Sequence, residues 1–186
     1  MSAPQASHSQ AVRELADEER IRRFMLALGE AAGTEGLCYL TGGATAVLVG
    51  WRSTTVDVDI TLEPEQDEVL RAIPLLKDEL SINVELASPA DFIPLPRGWG
   101  DRSLFIERAG RLTFSHFDPY SQALAKLERG HTQDLADVGE MVRRGLVEEP
   151  GLHSRFREIE PELYRFPAVD PVDFRRSVED FLRNRA

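Results

Sequence analysis

The chain has 186 residues, which suits one domain with extensions better than two independent domains, and 42% of them are apolar, enough for a true core. A formal net charge of −10 makes it a poor generic binder of duplex nucleic acid, leaving metal ions or a local basic patch to recruit phosphate. Cys38 is the only cysteine, which excludes an internal disulfide and a multi-cysteine zinc site.

No stretch is long and apolar enough to span a bilayer. Residues 1–10 are small and polar, without the basic start and apolar run of a signal peptide, so a disordered beginning and a cytoplasmic location are expected. Of the 22 basic residues only Lys77 and Lys126 are lysines.

In chain order, Arg13 to Ala32 reads as an amphipathic helix, with Leu15, Ile21, Phe24, Met25 and Leu28 at helical spacing and Gly33 as stop. Leu37 to Leu40 predicts a short buried strand, followed by the turn Thr41-Gly42-Gly43 and a tight helix from Ala44 to Val49. Val56 to Leu62 alternates, with Val56, Val58 and Ile60 on one side and Asp57, Asp59 and Thr61 on the other. Pro64 to Leu80 is helical, expected to be bent or interrupted at Pro74. Ser81 to Leu86 is a second alternating strand. The Pro/Gly-rich segment Ser88 to Asp101 is long enough for a flap or lid. Ser103 to Glu107 and Leu112 to Phe117 form a hairpin turning at Ala109-Gly110. Asp118-Pro119 starts a helix that Gly130 ends; Thr132 caps the next, which ends near Gly145. Beyond Pro150 the chain is punctuated by proline until Asp170-Pro171 opens a last helix with the stripe Phe174, Val178, Phe181 and Leu182.

The chemistry centres on Asp57-Val58-Asp59. On a strand these carboxylates stand roughly 6–7 Å apart on one face. A bare Asp-x-Asp more often marks a solvated strand face, but two such acids also suit a hard divalent ion, which uses one or two carboxylates plus substrate phosphates. Two-metal phosphoryl chemistry clamps ions about 4 Å apart with shared carboxylates. Glu85, on the next alternating strand, is the candidate third acid. Gly42 and Gly43, between a strand and a helix, would let backbone N–H groups approach phosphate. Arg52-Ser53-Thr54-Thr55 lies between that turn and the acidic strand; Arg52 is a candidate phosphate clamp, and hydroxyls such as that of Thr54 would position it.

Taken together, Tyr39-Leu40-Thr41-Gly42-Gly43-Ala44 and Gly50-Trp51-Arg52-Ser53-Thr54-Thr55-Val56-Asp57-Val58-Asp59-Ile60 resemble the polymerase-β-type nucleotidyltransferase superfamily. More narrowly they are similar to small proteins related to the AbiEii toxins and to the DUF6036 group. The resemblance implies that Asp57, Asp59 and Glu85 are catalytic and bind metal, that an NTP is the substrate and that Mg²⁺ or Mn²⁺ is the cofactor. The turn reads Gly-Gly-Ala where the superfamily has Gly-Ser, so Thr41 or Thr45 is the substitute hydroxyl. Leu124-Ala125-Lys126-Leu127-Glu128-Arg129 with Asp134-Leu135-Ala136-Asp137 resembles the Lys…Arg…Asp-x-x-Asp helices of AbiEii-like proteins, where the lysine approaches the triphosphate. Lys126 and Arg129 share a helix face, and Asp134 and Asp137 share one able to hold those cations. An ordinary helix-pair ion network is the competing reading.

The histidines show no metal-ligand spacing; His116 reads as structural and His131 as a possible substrate contact. Trp51 and Trp99 read as packing residues. The expectation is an α+β fold, with a nucleotidyltransferase core with N-terminal helix at 11–118 and a helical region at 119–186 in one compact unit. Its activity would be metal-dependent transfer of NMP from an NTP, releasing pyrophosphate, with Gly42, Gly43, Arg52, Thr54, Lys126 and Arg129 binding the nucleotide. The acceptor is open between RNA such as a tRNA end, served by Arg175, Arg176, Arg183 and Arg185, a small molecule and a protein. The alternative is a non-catalytic nucleotide binder, or a toxin–antitoxin component with a cognate partner.

Overall fold

The computed structural model describes residues 15–184. The disordered start expected for residues 1–10 and Arg185 of the C-terminal arginine group lie outside them. The fold is α+β, built on a five-stranded mixed sheet.

Helix α1 (Glu18–Ala31) starts at Asp17, whose side chain accepts from the Arg20 amide at 2.9 Å. Ile21, Phe24, Met25 and Leu28 are buried as their spacing predicts, whereas Leu15 precedes the helix and is exposed. Strand β1 (Gly36–Thr41) leads directly into α2 (Gly42–Val49). Strand β2 (Asp57–Glu63) buries Val58 and Ile60 completely. Val56 falls before the strand and is exposed, so the alternation that set it on one side with Val58 and Ile60 does not extend to it.

Helix α3 (Asp67–Glu79) runs through Pro74 without a break. Pro74 stands on the exposed face, where solvent satisfies the carbonyl that its missing amide leaves free. Strand β3 (Asn83–Leu86) is followed by a 3-10 turn at Pro89–Asp91 and the four-residue helix α4 (Trp99–Arg102). This segment is pinned rather than a free flap. Arg102 makes a bidentate pair with the buried Asp118, at 3.0 and 2.9 Å, and also donates to the carbonyls of Pro96 and Arg97. The Trp99 ring stacks on Phe117 at 4.5 Å.

Strands β4 (Leu104–Ala109) and β5 (Leu112–His116) form the expected hairpin, with an irregular register between Phe105 and Glu107. The sheet order is β3-β2-β1-β5-β4. β1 runs antiparallel to β2 and parallel to β5, and β2 runs parallel to β3. Cys38, Leu40, Val58, Ile60 and Phe114 share one buried core with α1 and α3 residues such as Phe24 and Ile73.

The remaining helices are α5 (Pro119–Arg129), α6 (Thr132–Arg143), α7 (Glu149–Ile159) and α8 (Pro171–Arg183). Asp118 caps α5 as predicted, bonding the amides of Tyr120 and Ser121. The cap of α6 is His131, and Thr132 is its first helical residue. Helix α7 is absent from the sequence reading, because Pro150 looks like a breaker; it stands in the first turn, where its missing amide has no helical partner to lose. These helices bury a second apolar cluster, including Leu124, Leu127, Val138, Phe156 and Phe174. Among the described residues no helix is long and apolar enough to cross a membrane.

Candidate functional site

Strand register decides where the acids go. Asp59 pairs with Thr41 across β1–β2, and with Glu85 across β2–β3; Asp57 pairs with Asn83. Directly paired residues share a face. Asp57, Asp59, Asn83 and Glu85 therefore stand on the sheet face opposite the Val58–Ile60 core. All three acids line one cleft of about 450 Å³.

The carboxylates press on one another. Burial, then the charges of Asp57 and Glu85, push the Asp59 carboxyl up to about 6, against a smaller pull from Arg129 and Lys126. Asn83 relieves part of the strain, donating to Asp57 at 2.5 Å and to Glu85 at 3.3 Å. Among the described residues, no three His, Cys, Asp or Glu side chains gather closely enough to cage a metal ion. The donor set still fits a hard divalent cation: Mg²⁺ takes one or two carboxylates, with water and phosphate completing its shell. A cation between Asp57 and Asp59 would also remove the repulsion that raises Asp59.

The glycine turn is shaped by these acids. Gly42 has φ +62°, and a Cβ there would sit 2.7 Å from Asp59 Oδ2. A Cβ on Gly43 would sit 1.9 Å from Thr55 Oγ1, which donates to the Asp57 carbonyl at 3.0 Å. The Gly42 amide is already engaged, donating to Gln122 Oε1 at 3.0 Å. The following amides of the first turn of α2 have no intrahelical acceptor. Of the two hydroxyls expected to stand in for the superfamily serine, Thr41 lines the cleft. Thr45 does not: it is buried, donating to the Leu40 carbonyl at 3.3 Å and contacting His116 Nδ1 at 3.1 Å. Burial holds His116 down to about 4, so this histidine is neutral and structural.

The opposite wall comes from α5 and α6. Lys126, only 5% exposed, donates to Asp137 at 2.6 Å and to Asp134 at 3.3 Å. Arg129 binds Asp134 through two bonds of 3.1 and 2.7 Å. Asp137 is completely buried and also accepts from Arg52 at 3.0 and 2.5 Å, Trp51 at 3.0 Å and Gln133 at 3.3 Å. Burial alone would raise its carboxyl; the Lys126 bond and charge, Trp51 and Arg52 together hold it below the usual range. The helix-pair network thus exists, and it also fixes three cations, Arg52, Lys126 and Arg129, along the cleft. Four carboxylates, Asp57, Asp59, Glu85 and Asp134, line the same cleft.

Gly42, Gly43, Arg52, Lys126 and Arg129 thus come together with the three acids, as does His131. Thr54 is not part of the lining; its neighbour Thr55 is. The sequence reading missed Asn83 and Gln122 as partners of the site, and Val56, Pro89 and Phe92 as walls. Register with Asp57 was the available signal for Asn83; the others depend on tertiary packing. Among the described residues, each C-terminal arginine is paired with an acid: Arg175 with Glu160, Arg176 with Asp173 and Arg183 with Asp180.

A family model described as nucleotidyltransferase of unknown function (DUF6036) matches residues 20–182. No curated protein and no solved structure gives a match.

Proposed function

Because the chain belongs to this nucleotidyltransferase family, we propose that it transfers a nucleoside monophosphate from an NTP to an acceptor hydroxyl and releases pyrophosphate. The observation that carries this reading is the register of β2 and β3, which sets Asp57, Asp59 and Glu85 on one face of a cleft opposite Lys126 and Arg129.

Asp57 and Asp59 would hold Mg²⁺ or Mn²⁺. When bound, the metal would neutralise the triphosphate and activate the acceptor oxygen. The protein's own part is positioning and charge stabilisation. Lys126 and Arg129, steadied by Asp134, hold the outer phosphates, with the first-turn amides of α2 and Arg52 beside them. Glu85 either helps hold metal or takes the acceptor proton on its carboxylate. A cleft with more carboxylates than cations repels a bare triphosphate, which favours the metal complex as the species that enters.

An RNA acceptor such as a tRNA end would present its terminal hydroxyl rather than dock a long backbone, since Arg175, Arg176 and Arg183 are each paired with an acid. A small-molecule or protein acceptor makes the same demand on the site. A second reading is a nucleotide binder without turnover, alone or in a toxin–antitoxin pair; the tie between Asp57 and Asn83, which engages one of the acids, favours it.

The test is incubation with each labelled NTP, Mg²⁺ or Mn²⁺, and total RNA. Label transfer that disappears in Asp57→Ala and Asp59→Ala supports the enzyme. Nucleotide binding without transfer to RNA, protein or small-molecule acceptors supports the second reading. Transfer that survives both substitutions overturns the assignment of the acids.

A further inference from the structure

Beside the acids, the glycine turn and the cations, the cleft is lined by apolar side chains of the segment that leaves β3: Ala87, Pro89 and Phe92. Phe92 is strongly exposed for its type, at 44%.

The Phe92 wall is rigid. The 3-10 turn that precedes it is tied by Asp91, which accepts from the Ser88 amide at 2.7 Å and from its hydroxyl at 3.4 Å. The next residue, Ile93, is completely buried in the helical cluster against residues of α5. Phe92 is therefore held beside the cleft by an anchored neighbour on one side and a closed capping box on the other. Its segment leaves β3 just after Glu85 and Leu86, and the ring lines the same cleft as the acids.

We propose that Phe92, with Pro89, forms the platform on which the nucleobase of the bound triphosphate lies. The inference rests on the triphosphate reading of the charged groups and adds the other end of the same ligand. A nucleotide is charged at one end and flat and weakly polar at the other, and this cleft holds both charged groups and an exposed aromatic ring. Stacking on an aromatic face is tolerant of base identity. Neither the Phe92 nor the Pro89 side chain carries a hydrogen-bonding group, so their contact is with the ring face and not the base edge.

The test is calorimetric titration of the full chain with Mg²⁺ and two probes, α,β-methylene-ATP and inorganic tripolyphosphate. Wild type is expected to bind the nucleotide more tightly than tripolyphosphate. Phe92→Ala should weaken nucleotide binding on the order of ten-fold, leave tripolyphosphate unchanged, and melt near wild type; Phe92→Trp should restore the nucleotide. Unchanged nucleotide binding in Phe92→Ala, or equal loss for both probes, overturns the platform. Equal wild-type affinity for the two probes also overturns it while leaving the triphosphate reading intact. Failure of wild type to bind either probe overturns both.

Discussion

Asp137→Asn isolates what the buried carboxylate contributes. Asp137 has no solvent contact and accepts from Lys126, Arg52, Trp51 and Gln133. Removing one partner of a buried ion pair typically costs about 3–5 kcal/mol, because the other charge is left uncompensated. Asparagine keeps one acceptor oxygen, and Asp134 still reaches Lys126 at 3.3 Å. The lower end applies, about 3 kcal/mol. Equilibrium urea unfolding at pH 7 measures it. Arg52→Gln and the double variant complete a cycle whose coupling should be about 1–2 kcal/mol, within the range for contacting residues. The pH dependence has a definite sign. The carboxyl of Asp137 is lowered on folding, so its contribution is present above its ordinary value near 4 and lost as pH falls through the lower folded value. The gap between wild type and Asp137→Asn should hold from pH 7 to pH 5 and close below pH 4. A loss under about 1 kcal/mol at pH 7, against the buried-pair expectation, or a gap that does not close in acid, refutes the reasoning.

Gly43→Ala drives a Cβ into Thr55 Oγ1 and should destabilise by about 1–3 kcal/mol, the usual range for overpacking; thermal melting checks it, with weaker Mg²⁺–nucleotide binding expected alongside. His116 is held near 4 by burial and returns to about 6.5 on unfolding, so the unfolded chain binds the extra proton between those values. Stability should therefore fall by about 3 kcal/mol as pH drops from 6.5 to 4, from about 1.4 kcal/mol per unit. His116→Gln should show a flatter stability–pH curve over that interval, and parallel curves would reject this origin.

The acid pair was legible because strand alternation is local: Val58 and Ile60 point inward, so Asp57 and Asp59 must point outward. Glu85 followed from the same rule on β3. The Lys126–Asp137 association was legible at helical spacing, but Arg52 and Trp51 meeting the same carboxylate was not. That convergence joins residues 85 and 86 positions apart, and no local pattern carries it. Val56 shows the limit of alternation, which continues in letters after the backbone has left the strand. Proline misled at Pro150, because its effect depends on the helix turn it occupies, not on its presence. Residues Ser88 to Asp101 looked like a lid for their length; the Arg102–Asp118 pair and the Trp99–Phe117 stack that tether them are tertiary.

Gln122 has a consequence for how the two walls keep their distance. Its amide is used at both ends: Oε1 accepts from the Gly42 backbone, and Nε2 donates to the Phe117 carbonyl at 2.8 Å. Lys126 stands four residues further along the same helix, about 6 Å along the axis. The glycine turn and the lysine are thus gauged against one rod. A tilt of α5 that displaced Lys126 would carry the Gly42 anchor with it, so the spacing between turn and cation is set by the pitch of a single helix rather than by the docking of helices on the sheet.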